Sequence, residues 1–454
     1  MTTGRSPAVP AVRRRTHASF IVCALIAAAW PWAAPAQDIR PSLAEQERRL
    51  AQAAAEPVQL TLRDALALAL QRNPELAAFA SERSAMEAAA LQAGALPNPV
   101  LDIVGDNLRN ARKAEAGDRT TSIQIGQLIE LGGKRAARMR AAEAGRDLAG
   151  WDYEAKRIEV MSVVAQRFVD LLAAQQRLVL AGEAAALARQ VSEAVARRVE
   201  AGKVSPVEET KARLAQAGAE VELEQARREA IAARSALGAM WAAPSPRFEK
   251  AVGDLEKRPP LPGFEQLAAR VRDNPELARW ATEIAQRQAS VEAERAKAVP
   301  DVTVSAGVTR FSQFDDRAYM VGISIPIPIF DRNRGGILEA SRRLDKAADE
   351  QRAAEGRLLA DLARAYQRLA AIDQEIGTLR TILLPGAQSA FEAASKGYQL
   401  GKFGFLDVLD AQRTLFQTRT QNLRALADYQ RGVSDIERLV GGPLDLPPNT
   451  PNRP

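Results

Sequence analysis

The sequence predicts a mainly α-helical fold with membrane β-strands. A long α-helical barrel joins a β-barrel, and several copies of a chain with an internal twofold repeat build both. Three observations lead there. Long proline-free stretches place apolar residues three, four or seven apart, as in a coiled-coil seam. Four short segments alternate apolar residues with small or polar ones. A set of landmarks recurs in the same order at a nearly constant offset.

The repeat organises the rest. The tetrapeptide NPEL stands at Asn73–Leu76 and again at Asn274–Leu277, 201 residues on. Each copy follows an amphipathic stretch and precedes about 20 helix-forming residues that run out at a proline, Pro99 or Pro300. Next, TSIQIGQLIELGGKR matches VGISIPIPIFDRNR at an offset of 200, with Ile125 on Ile325 and Lys134 on Arg334. A Gly-Lys turn closes the pattern, Gly202-Lys203 and Gly401-Lys402. Two copies are too few for a solenoid. The expected layout is repeat 1 over residues 60–242, a Pro- and Gly-rich linker over 243–263, repeat 2 over 264–442 and a C-terminal tail over 443–454.

Ahead of repeat 1, Arg13, Arg14 and Arg15 lead into the apolar run ASFIVCALIAAAW and then Ala34-Pro35-Ala36. This pattern reads as a signal peptide over residues 1–36, followed by an N-terminal periplasmic segment over 37–59. The run is too short for a membrane anchor. Removing it takes four Arg and no acid, leaving 58 Lys+Arg against 56 Asp+Glu, or +2. A nucleic-acid partner thereby loses its electrostatic basis. The only cysteine, Cys23, and the only histidine, His17, lie in the same segment. The mature chain then offers no thiol nucleophile, no disulfide, no His-based triad and no thiolate or imidazole metal site. No cofactor is called for, and nothing marks an enzyme.

The strands are expected near 100–107, 120–129, 302–310 and 319–329. In the third, Val302, Val304, Ala306 and Val308 alternate with Thr303, Ser305, Gly307 and Thr309. In the fourth, Tyr319, Val321, Ile323, Ile325, Ile327 and Ile329 share one face. Pro326 and Pro328 lack NH groups on a common side, so the ladder ends or meets an edge there. Four strands of this length with one lipid-compatible face suit an outer-membrane barrel, yet four cannot close one. Several chains must contribute, and three would give twelve strands around an open lumen. The helices are about 50–100 Å long at 1.5 Å per residue, and extend the tube away from the membrane. Pro385 is expected to kink or interrupt one of them. A periplasmic coiled-coil scaffold protein with two small hairpins is the alternative of another class.

The repeat, QLIELGGKRAAR from Gln127, IPIPIFDRNRGG from Ile325 and GYQLGKFGFLDVLDAQRTLFQ from Gly397 resemble the TolC-like outer-membrane factors. The resemblance spans roughly Leu60 to Gly442. The first two motifs are most similar to the branch serving cobalt–zinc–cadmium efflux pumps (CzcC-like). The resemblance implies a homotrimer with a twelve-stranded barrel and a twelve-helix periplasmic tunnel. It implies an outer-membrane location in contact with lipid. It also implies a passive exit duct for heavy-metal cations, joined through a periplasmic adaptor to an inner-membrane RND pump. A multidrug duct is the alternative within the class.

Carried over from the family, the DVLDA stretch places acidic rings at the tunnel's constriction, here Asp407 and Asp410. Aspartates three apart past a helix–helix turn share a face, and a threefold axis turns each into a cation-attracting ring. An acid at a helix N-terminus also serves as a plain structural stabiliser. Family members often carry a basic residue at the turn; Phe403 stands there, with Lys402 one residue off. The resemblance assigns Gly202, Lys203, Gly401 and Lys402 to the tips that meet the adaptor.

Overall fold

The computed structural model describes residues 58–106, 119–311 and 315–444. All of them lie in the unit Pro57–Pro454. The expected signal peptide, residues 37–57 and the tail beyond Leu444 fall outside the described residues.

Repeat 1 begins with β1 (Gln59–Leu60), α1 (Leu62–Arg72) and α2 (Pro74–Ala93). Thr61 and Asp64 form a capping box at the start of α1. At NPEL, Asn73 ends α1 and caps α2, accepting the Leu76 N–H at 2.9 Å. Pro74 fills the first helical position, where a missing NH costs nothing. Strands β2 (Val100–Asp106) and β3 (Thr120–Ile129) follow, then α3 (Lys134–Glu200) and α4 (Pro206–Gly238). At 67 residues, α3 runs about 100 Å.

Strand β4 (Lys250–Ala251) lies in the segment read as a linker and pairs in parallel with β1. Repeat 2 then repeats the order: α5 (Phe264–Arg270), α6 (Pro275–Lys297), β5 (Val302–Phe311), β6 (Asp316–Ser324) and α7 (Arg334–Thr378). Asn274 caps α6 as Asn73 caps α2, accepting the Glu276 N–H at 2.8 Å. A π-helical turn, Leu379–Leu383, carries α7 into α8 (Leu384–Gln399) before the final α9 (Phe405–Val440).

Pro385 does not stop the helical run, but the α-helix is interrupted just ahead of it by the π turn, where the sequence predicts an interruption. The proline sits just past the π turn, where Leu384 N–H bonds to Leu379 O, five residues back. The wider turn absorbs the missing NH and the ring's clash with the preceding turn.

The four long strands form one antiparallel sheet in the order β2-β3-β5-β6. Residues opposite one another in register share a face. One face carries Leu101, Ile103, Ile123, Ile125, Val304, Ala306, Val308, Tyr319, Val321 and Ile323. The other carries Asp102, Ser122, Gln124, Ser305, Thr309 and Ser324, with Ser122 and Thr309 hydroxyls 2.9 Å apart. Val100, Val104 and Leu128 interrupt the polar face, which is why the first-half alternation reads less cleanly.

Strand β6 ends at Ser324, not at Ile329 as the alternation predicts. Periodicity alone carries the pattern through IPIPIF, but Pro326 and Pro328 have no NH to give the ladder. The strand's start moves the other way, to Asp316 rather than residue 319. β5 runs one residue further than expected, and β2 stops at Asp106, the last described residue before 119.

The turns from strand to long helix need left-handed backbone in both repeats. Gly132 and Gly133 have φ of +67° and +73°. A Cβ on Gly132 would lie 2.7 Å from the Val299 side chain, so glycine is required there. Asn333 takes the equivalent place at φ +52° and donates through Nδ2 to Glu294 O and Oε2 at 2.8 and 2.7 Å. Lys134 pairs with Asp301 at 2.8 Å, tying the first of these turns to the start of β5.

The main core lies midway along the long helices. Val160–Leu172 of α3, Leu358–Ile376 of α7 and Leu423–Val440 of α9 close around Trp241, Leu255 and Leu267. Phe248 of the linker is fully buried there. Tyr429 Oη donates to Pro259 O at 2.9 Å, and Gln430 Nε2 donates to Leu255 O and Lys257 O. The linker is thus packed and hydrogen-bonded against the helices.

Candidate functional site: the helix tips and the strand faces

Two helix–helix turns at the far end of the long helices hold the sequence-predicted tip residues. After α3, Gly202 has φ +64°, its N–H bonds to Val199 O, and Lys203 N–H bonds to Arg198 O, both at 2.9 Å. After α8, Gly401 has φ +71°, its N–H bonds to Tyr398 O at 3.1 Å, and Lys402 N–H bonds to Gly397 O at 2.8 Å. Both are Schellman caps, in which a glycine turns left-handed to satisfy the last carbonyls of a helix. Gly202, Lys203, Gly401 and Lys402 are all exposed.

A small second core joins the two turns. Val195, Ala212 and Phe405 are buried together, with Val191, Val199, Val204, Tyr398 and Leu409 packed around them. The Arg198 guanidinium lies 4.4 Å from the centre of the Tyr398 ring, a cation–π contact between the repeats. Nη1 of Arg198 also donates to Tyr398 O at 3.4 Å. Burial raises the Tyr398 hydroxyl's pKa, and Glu208 adds to the rise against the Arg198 charge. Phe403 folds back over Gly397, where a Cβ would lie 2.1 Å from its ring. That contact accounts for an aromatic residue at this turn.

Asp407 and Asp410 sit on the first turns of α9, both exposed. Asp407 Oδ2 accepts the Gly404 N–H at 2.8 Å, so this carboxylate is held by its own helix start. Asp410 lies one turn further along. At the other tip Glu208 and Lys211 occupy the matching places, so the two tips differ in charge. Arg198 and Tyr398 stand 200 residues apart, the offset that relates the two halves, but an Arg set against a Tyr is no matching pair and so gives no sequence signal.

Among the described residues no cluster of three or more His, Cys, Asp or Glu could hold a metal ion. No described helix is long and apolar enough to cross a membrane. The surface with membrane character is instead the apolar face of the sheet, where Tyr319, Val321 and Ile323 are 88%, 79% and 69% exposed.

The model for the family described as outer membrane efflux protein matches residues 65–243 and 269–442. The chain belongs to the outer membrane efflux protein family. Members are efflux proteins of the outer membrane, not enzymes. The chain is 41% identical over 382 residues to the cobalt-zinc-cadmium resistance protein CzcC of Cupriavidus metallidurans, covering 84% of this chain and 90% of the relative. It is 30% identical to the nickel-cobalt-cadmium resistance protein NccC of Alcaligenes xylosoxydans xylosoxydans, covering 71% and 72%. Among solved structures, CusC superposes with a TM-score of 0.72 at 19% identity, covering 86% of this chain and 94% of CusC. The open-state MtrE channel of Neisseria gonorrhoeae gives 0.71 at 19%, covering 86% and 91%. This outer membrane efflux protein therefore has the fold of the outer-membrane channels.

Proposed function

We propose that the protein is the exit duct for heavy-metal cations in a tripartite assembly with a periplasmic adaptor and an inner-membrane RND pump. The carrying observation is the 41% identity to a cobalt-zinc-cadmium resistance protein over 84% of the chain. The duct is a homotrimer of a duplicated chain, each copy giving four strands to a twelve-stranded barrel. Edge strands β2 and β6 support this, since both need a partner within lipid. Asp407 and Asp410 form acidic rings where α9 begins, and Gly202, Lys203, Gly401 and Lys402 form the surface that receives the adaptor. The pump chooses the cargo, and the duct needs no liganding site.

The test is deletion and complementation in the native host, reading growth inhibition by cobalt, zinc and cadmium beside a panel of organic drugs. Metal sensitivity of the deletion strain, reversed by the intact gene, is the expected result. Sensitivity confined to organic compounds overturns the metal reading. It would favour an organic cargo, for which the 25% identity to the pyoverdine export protein OpmQ of Pseudomonas putida speaks.

A further inference from the structure

The loop end of the sheet sorts its charges by face. Along the last full row, Asp106, Thr120, Phe311 and Asp316 stand opposite one another on the polar face. In the row beneath, Gly105, Thr121, Arg310 and Arg317 stand opposite one another on the apolar face. The two acids thus point with the lumen-type residues, and the two arginines with the residues that suit lipid. Arg310 and Arg317 are direct register partners on neighbouring strands. Like charges directly opposite repel unless an anion sits between them. Arg310 Nη2 reaches Asp315 at 2.7 Å, but that pair is 59% and 83% exposed and offsets little of the repulsion. One step further into the sheet on the same face comes Tyr319, paired with Val308 and 88% exposed.

The order along β6 is therefore arginine, tyrosine, valine, isoleucine, on one face. It matches the polarity of a lipid read from headgroup to chain: charge, interface, hydrocarbon. The strands' other end joins the periplasmic helices, so the arginines lie at the outer rim. We propose that Arg310 and Arg317, with Tyr319 below them, bind the phosphorylated headgroup of an outer-leaflet lipid. Two guanidinium groups on adjacent strands offer paired donors to one phosphate, the geometry in which arginine outperforms lysine. This site rests on the barrel proposed above, because it needs the apolar face to be in lipid.

The full-length protein is reconstituted into phosphatidylethanolamine vesicles containing lipid A or lipid A stripped of its phosphates. Lipid carried through detergent extraction is then counted by mass spectrometry. The native protein should retain the phosphorylated form about tenfold over the stripped form. Arg310→Gln with Arg317→Gln should remove that preference. Equal retention of the two forms by the native protein, or a preference unchanged in the double variant, overturns the proposal. Displacement of the lipid by inorganic phosphate at low millimolar concentration would assign the site to a free anion and also overturn it. A fluorophore on Ile323→Cys, in a Cys23→Ser background, should be quenched by lipid-borne nitroxide both with and without the arginine changes. Quenching in both shows that the barrel stands and the variant folds, so the lipid counts alone decide the headgroup site. Loss of quenching in the native background overturns the barrel itself.

Discussion

Asn73 and Asn274 each do two jobs with one side chain. The oxygen caps a helix, and the nitrogen reaches across the repeat to the end of its last helix. Asn73 Nδ2 donates to Met240 O at 2.8 Å; Asn274 Nδ2 donates to Arg438 O and Leu439 O, both at 2.9 Å. Both residues are 5% exposed, so an unmatched carbonyl left behind would be poorly solvated. Asn73→Ala should cost about 2 kcal/mol, one part from the cap and one from the tie. Asn73→Ser keeps the cap alone and should recover about half of that. Thermal melting of the three proteins under one detergent condition checks the order. The boundary role was legible in NPEL, because Asn and Pro have fixed meanings at a helix start. The tie was not, since nothing local names a carbonyl 167 residues away.

Glu294 gives a pH signature at the same scale. Hydrogen bonds from Asn333, then from Lys297, hold its pKa below the ordinary carboxylate value. A lowered folded pKa stabilises the fold at pH above the unfolded value, and that contribution disappears as pH falls through the folded value. Glu294→Gln should therefore melt below the native protein at neutral pH. The gap should close under acid conditions beneath the usual carboxylate range. A gap that stays constant with pH would mean that the Asn333 corner does not depend on the Glu294 charge.

At the scale of elements, the tips join the repeats through Phe405 and the Arg198–Tyr398 contact. Phe405 is 2% exposed although it opens a helix at the far end of the long helices. Phe405→Ala should destabilise the tip by about 3 kcal/mol, with faster amide exchange at the end of α8 and the start of α9 than in the main core. Gly397→Ala should show the same local loosening, because a Cβ there meets the Phe403 ring. The acidic pair on α9 leads to a separate expectation. Asp407→Ala with Asp410→Ala should raise single-channel conductance in a planar bilayer, and an unchanged conductance would remove these residues from the constriction. Asp407 also caps Gly404, so Asp407→Asn, which keeps a hydrogen-bond acceptor, separates charge from capping. Turns were the most legible elements, since Gly202 and Gly401 both proved left-handed caps. The ends of β6 were the least legible. Alternation continues through Ile325, Ile327 and Ile329, while the backbone donors that a strand needs stop at Pro326. The linker misled for a related reason: its proline and glycine content conceals Phe248 and Leu255, which are both in the core.

At the scale of the whole molecule, the proposed trimer rests on backbone hydrogen bonding. The sheet has four strands, with β2 and β6 as its edges. In hydrocarbon, an unpaired edge leaves each NH and carbonyl without water, at a cost of several kcal/mol per group. In the barrel proposed above, only closure removes the edges, and β6 of one copy would pair with β2 of the next. Two copies would give eight strands and an interior filled by side chains, whereas twelve leave a lumen wide enough for a duct. The polar face with Asp102, Ser122, Gln124 and Thr309 is what such a lumen requires. Light scattering of the detergent-extracted protein, with bound detergent subtracted, should therefore give three chain masses. A cysteine pair placed across β6 and β2 should form a disulfide only between chains, never within one. A monomer by mass, with no cross-link, would leave both edges bare and would remove the barrel, the acidic rings and the outer-rim lipid site together.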